Sequence, residues 1–129
     1  MNEVPITRTE TPVDEPITMI NAFTVPVEES ETFLPLWMEN SEIMARQPGF
    51  IRARLHRSMI DDAELRFVNV AQWESGRQLE EALSRSEWQE SAQRLLNEPG
   101  LHITARPSIY EVIVDLQPSH DGSAAPATS

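Results

Sequence analysis

Residues 17–25 (ITMINAFTV) are rich in β-branched and aromatic side chains and stop at Pro26, which predicts a strand. The period then changes. From Thr32 onward Phe33, Leu36, Trp37, Ile43 and Met44 recur at helical spacing until Pro48-Gly49, a stop signal. With Thr32 as the N-cap, Pro35 falls in the first turn, where it has no intrahelical N–H bond to lose. Residues 50–59 and 64–73 read as two strands joined around Asp61-Asp62, a hairpin turn. Residues 76–97 carry a second helical stripe of Leu79, Leu83, Trp88, Ala92, Leu95 and Leu96, with a break expected near Ser84 to Ser86. A last strand over 109–116 (IYEVIVDL) follows Pro107. The order β-α-β-β-α-β predicts an α+β, ferredoxin-like antiparallel sheet with its helices on one face and the first and third strands adjacent at its centre.

Strand alternation places Ile17, Met19, Asn21, Phe23 and Val25 on one face of the first strand and Thr18, Ile20, Ala22 and Thr24 on the other. On the third strand the faces are Leu65, Phe67, Asn69, Ala71 and Trp73 against Arg66, Val68, Val70 and Gln72. Neither face is polar throughout. Helices cover one side only, so Ile20, Val68, Val70, Val112 and Val114 would form a large apolar patch in a monomer. A two-fold homodimer through the sheet faces is therefore expected.

Proline-containing polar residues 1–15 and the small, polar residues 117–129 are expected to be disordered tails around one domain at 16–116. No apolar run is long enough to cross a bilayer and the N-terminus lacks a signal-like pattern, so a cytoplasmic protein is expected. The chain has no cysteine and no lysine, which excludes thiolate chemistry, Cys-based metal sites and Schiff bases. A net charge of −11 disfavours nucleic acid and anionic membranes as partners, leaving a small neutral substrate or a protein.

Asparagine is depleted from strand interiors, so Asn21 and Asn69 on otherwise apolar central faces call for a reason. Each amide either ties down an irregularity of the sheet or meets a ligand in a pocket. Trp73 lies on the Asn69 face four residues on, ~13 Å away at strand rise, where an indole offers a stacking face and an N–H donor or simply packs. His56, on a strand between arginines, reads as a base for a phenolic proton or as a solvated edge residue. His102 and His120 lie in a loop and a tail, and no metal site is expected. Nucleophile-elbow, phosphate-loop and dinucleotide motifs are absent from the chain.

The segments INAF (20–23), QPGFIRARLHRS, RFVNVAQWES and PSIYEV resemble the antibiotic biosynthesis monooxygenase family over about residues 17–115, with Asn69 to Ser75 as the most specific part. The resemblance implies a dimeric α/β barrel and, for the anthrone oxygenases of the family, a monooxygenase without cofactor that uses O₂ as co-substrate and turns an aromatic polyketide-like anthrone or phenol into a quinone. Asn21, Asn69 and Trp73 match the functional asparagines and tryptophan of those enzymes, and His56 matches a histidine found in some. The implied pocket includes Phe23, Phe67 and Leu79, the last departing from a tyrosine carried by one subgroup. The haem-degrading branch needs a helical tryptophan and an iron-ligating histidine where this chain has Ala82 and Ala92, which argues against haem. A non-catalytic or regulatory small-molecule-binding protein, and a polyketide cyclase or isomerase, are the alternatives on the same fold.

Overall fold

A computed structural model describes residues 13–119. The elements are β1 (Ile17–Thr24), α1 (Ser30–Ala45) preceded by a short 3₁₀ turn, β2 (Phe50–Arg57), β3 (Phe67–Trp73), α2 (Gly76–Leu83), α3 (Ser86–Leu96) and β4 (Thr104–Tyr110). The strands form one antiparallel sheet in the order β2-β3-β1-β4, the ferredoxin-like α+β architecture, with β1 and β3 central as expected. Of the expected tails at 1–15 and 117–129, residues 1–12 and 120–129 lie outside the described residues. Val13 and Asp14 rest against the start of α2, where the Val13 carbonyl accepts from the Arg77 N–H at 2.9 Å. Asp14 pairs there with Arg77 at 2.7 Å.

Three local expectations are corrected. The last strand runs over Thr104–Tyr110 and not 109–116, so the β-branched run at 112–114 falls beyond it. Its sequence, TARPSIY, is too polar and proline-marked to stand out, but β4 is an edge strand, where proline is tolerated because half the backbone N–H groups have no ladder partner. Helix α1 starts at Ser30, ahead of the expected Thr32 cap, and Pro35 lies inside it. The carbonyl of exposed Glu31 thereby loses its helical donor and is left to water. The loop of the β2–β3 hairpin is longer than the expected turn, because β2 stops at Arg57 and β3 starts at Phe67. Buried Arg66 organises it by donating to the carbonyls of Asp61 at 2.8 Å and Ser58 at 3.4 Å.

The expected break in the second helical stripe is present. Ser84 ends α2, its hydroxyl donating to the Glu81 carbonyl at 2.8 Å, and α3 restarts at Ser86. Ser75 caps α2 by accepting from the Gln78 N–H at 3.1 Å, with the Gln78 side chain accepting from the Ser75 hydroxyl in return. Helices α1 and α3 pack together through a polar clasp: with its amide turned so that oxygen faces the donors, Asn40 accepts from Ser91 Oγ and Trp88 Nε1 at 3.2 Å and from the Ala92 N–H at 3.3 Å. The pattern of hydrophobic spacing did not single out Asn40, a mid-helix amide that only α3 satisfies.

Candidate active site

The ladders order the helix-covered face of the sheet into cross-strand rows. One row is Phe50, Trp73 and Ile17, and the next is Ala53, Ala71, Met19 and Ile109. The third is Leu55, Asn69, Asn21 and Pro107, and the fourth Arg57, Phe67, Phe23 and Ala105. The first two rows belong to a hydrophobic cluster with Met44, Leu79 and Ala82. Apart from exposed Arg57, the fourth belongs to a second cluster with Val25, Phe33, Leu95 and Leu101. The two asparagines are direct partners across the β1–β3 ladder, on the seam between the clusters.

Such a pair costs free energy if its polar atoms stay unsatisfied. The side-chain oxygens of Asn21 and Asn69 and the Trp73 indole nitrogen are all buried without a hydrogen-bond partner. Asn69 is 7% exposed and Trp73 1% exposed, so water does not reach them freely. Neither asparagine lies at the register shift of the sheet, which falls between Phe50 and Arg52 on β2. The use of an amide to tie down a bulge thus does not account for them. Three unmet polar atoms from three residues share one face, and they present acceptors and a donor to whatever lies between sheet and helices.

The other sequence-selected residues divide. Phe23 and Phe67 flank the amides on the second-cluster side, Phe23 meeting Phe33 edge-on at a centroid distance of 5.1 Å and Phe67 stacking on it at 4.9 Å. Leu79, fully buried, packs with Trp73 in the first cluster. His56 is not brought to this face. It pairs with Val68 in the ladder, so its imidazole lies on the opposite side of the sheet with Arg52 and Arg54, Nδ1 3.3 Å from the Val68 carbonyl. The register decides this, since residues directly opposite share a face and Val68 is out of phase with Asn69. His102 is solvent-exposed and bound to Glu29 at 2.6 Å, while His120 lies outside the described residues. A haem iron would thus find no imidazole on the helix-covered face among the described residues, and the positions aligned with the haem branch are Ala82 and Ala92, both in the core. The residues do not fit haem, and among the described residues no group of His, Cys, Asp and Glu gathers at metal-ligand spacing.

An open groove of about 350 Å³ lies apart from the amide row, lined by Thr24, Pro26, Asp62, Arg66 and His102 among others. Glu29 beside it has its carboxyl held below the usual range, first because His102 hydrogen-bonds to it through its ring and then through its backbone N–H. Acidic residues 61, 62 and 64 rim this groove, which sequence patterning did not mark as a site.

Residues 16–101 match the family model described as antibiotic biosynthesis monooxygenase. The chain belongs to that family. Among solved structures it is similar to a candidate monooxygenase from Shewanella loihica PV-4, at 31% identity and a TM-score of 0.64 over 78% of this chain and 97% of that one. It is also similar to SnoaB, a cofactor-independent oxygenase from Streptomyces nogalater, at 28% identity and a TM-score of 0.64 over 79% and 97% of the two chains. The heme-degrader MhuD from Mycobacterium tuberculosis, solved with two hemes bound in its active site, shares the fold at 22% identity and a TM-score of 0.59, over 78% and 99%. None of the curated proteins matches the chain. Among the described residues, no helix is long and apolar enough to cross a membrane.

Proposed function

We propose that this family member is a cytoplasmic, cofactor-independent monooxygenase that oxidises an aromatic, polyketide-like anthrone or phenol to a quinone with O₂. The observation that carries the reading is the opposed Asn21–Asn69 pair with its unmet amide oxygens, in line with the unmet Trp73 N–H. The similarity to SnoaB, a cofactor-independent oxygenase, supports the reaction class.

The chemistry asks little of the protein. An anthrone methylene becomes a carbonyl, a four-electron oxidation, while one O₂ supplies the carbonyl oxygen and one water and takes up those four electrons. The substrate is its own reductant. It reacts as the enolate, and an Asn N–H₂ aimed at the substrate oxygen stabilises charge that develops on ionisation. The second amide oxygen accepts from a phenolic hydroxyl, and Trp73 and the flanking phenylalanines offer flat apolar surface to the rings. The amide row carries no titratable side chain, and His56 is across the sheet, so the substrate proton passes to water and the role of the site is to favour the anion.

The sheet face away from the helices supports a homodimer. Ile20, Ala22, Val68 and Val70 lie there half-exposed, with arginines on the β2 side and no helix above them.

Oxygen consumption by metal-free protein supplied with an anthrone tests the reading. Stoichiometric O₂ uptake with quinone formation is expected. Tight binding without O₂ uptake would make the protein a binding module, and rearranged product without uptake a cyclase or isomerase.

A further inference from the structure

A domain of this size ordinarily has one contiguous apolar core, and here the core is split into two clusters under the same helices. The split is polar in both central strands and in both helices that cross it. Strand β1 passes from the first cluster to the second between Met19 and Phe23, at Asn21, and β3 between Ala71 and Phe67, at Asn69. In α1 the second cluster takes Phe33, Leu36 and Trp37 and the first takes Met44, with Asn40 between them. In α3 the first cluster takes Trp88 and the second Leu95, with Ser91 and Ala92 between them. Trp88 and Leu95 are ~10 Å apart at helical rise, and Ala71 and Phe67 ~13 Å at strand rise. Helix α3 therefore spans the same two clusters as β3, and its middle lies over the amide row.

What α3 presents at that level is small. Ser91 is 3% and Ala92 5% exposed, and side chains of this size bury little apolar area, so hydrophobic burial alone grips α3 weakly over the amides. The grip is polar and comes from α1. The Asn40 oxygen is the common acceptor for Ser91 Oγ, Trp88 Nε1 and the Ala92 N–H, all on α3. Two further bonds between these helices, Arg94–Glu39 at 2.9 Å and Arg46–Glu87 at 3.3 Å, are ion pairs exposed on both sides and hold little. Asparagine is also a poor residue for a helix interior, so α1 gains nothing locally from Asn40. Its reason lies in where it sets α3.

We infer that Asn40 is a positioning residue of the amide site: it fixes the height of α3 above Asn21 and Asn69 and so keeps a slot between the clusters for a flat, fused-ring aromatic molecule with oxygens on the edge turned to the sheet. The inference rests on the monooxygenase reading and names the shape that the site selects. The sheet amides take the oxygens, the two clusters take the ring faces, and Ser91 and Ala92 form the roof. Asn40 acts through α3 and touches no reacting atom. Its loss loosens the fit of the ring while the amides that stabilise charge stay in place.

The test uses the full chain and a dihydroxyanthraquinone, a flat probe whose binding is read by quenching of tryptophan fluorescence and needs no turnover. Asn40→Leu removes the acceptor and favours the helix, and should raise the Kd of the probe at least ~10-fold. With an accepted anthrone its KM should rise in step while kcat stays within about twofold. Asn40→Asp offers oxygen to the same three donors without an N–H₂, and should restore the Kd to within about threefold of the parent. If Asn40→Leu does not fold, Trp88→Phe with Ser91→Ala removes two of the three donors and should weaken the probe in the same direction. A parental Kd in the folded leucine variant, whatever its melting temperature, overturns the inference, and so does a folded Asn40→Asp that binds no better than Asn40→Leu. A parent that does not bind the probe also overturns it. A parent that binds the probe but consumes no O₂ with an anthrone overturns the monooxygenase reading, and the Kd comparison then decides the role of Asn40 by itself.

Discussion

Asn69 is the residue on which the proposed chemistry most depends, because it is the more buried of the two amides and shares its face of β3 with Trp73. If its N–H₂ stabilises an enolate, Asn69→Ala should lower kcat by ~10²–10³ in an oxygen-uptake assay. The same variant should melt within several degrees of the parent, since it deletes an amide that makes no bond through its oxygen. Asn69→Asp is sharper: a carboxylate of similar shape repels the anion and should be at least as damaging at neutral pH. A parental rate in Asn69→Ala would make the pair structural. Trp73→Phe keeps a ring and loses the N–H, so kcat should fall less. Stability should fall by about 1–3 kcal/mol in a urea titration, because the indole is almost wholly buried against Phe50.

At the level of the elements, Pro35 and Ser75 make opposite predictions. Pro35 lies past the first turn of α1 and removes a helical hydrogen bond. Its replacement by alanine restores a donor worth up to ~3 kcal/mol and frees the unfolded chain by ~1, so Pro35→Ala should raise the denaturation free energy by about 1–2 kcal/mol. Ser75→Ala removes both the cap on the Gln78 N–H and the Ser75–Gln78 side-chain bond and should cost about 1 kcal/mol. Because Ser75 stands only two residues after the end of β3, this variant also tests whether the start of α2 steadies Trp73: a rise in KM with kcat kept would indicate that it does.

For the whole molecule, the acid response follows from two carboxylates held by hydrogen-bonding partners, Asp14 by Arg77 and Glu29 by His102. Asp14 is held low by the hydrogen bond and charge of Arg77, and Glu29 by its bonds from His102. A carboxyl whose folded value is depressed stabilises the fold above its unfolded value, and that contribution disappears as pH falls through the folded one. The Asp14–Arg77 pair is exposed on both sides and the Glu29–His102 pair on the His102 side, so the effect is small and screened by salt. The urea midpoint of the parent should therefore exceed that of Glu29→Gln at pH 7, and the difference should vanish on acidification below the usual carboxylate range. A difference that persists at pH 2 would assign Glu29 a role other than its charge.

Short-range pattern was enough for element order, the break between α2 and α3, the central pairing of β1 with β3 and the shared face of Asn21, Asn69 and Trp73, because alternation and helical spacing report which side of each element faces the core. The departures come from neighbours distant in sequence. The last strand lies at 104–110 because β1 offers a ladder there and none beyond Thr18, which outweighs the stronger β-propensity of Val112 to Val114. His56 is separated from the asparagines by the register of β2 on β3, including the shift at Phe50 and Arg52 that sequence does not mark. That Asn21 and Asn69 stand directly opposite each other, on the seam of two hydrophobic clusters and with oxygens unmet, is likewise a matter of register and packing. The sequence by itself determined which residues are polar among apolar neighbours. Only the tertiary structure decided which of them meet, since pairing partners and faces are set by contacts between strands and not within them.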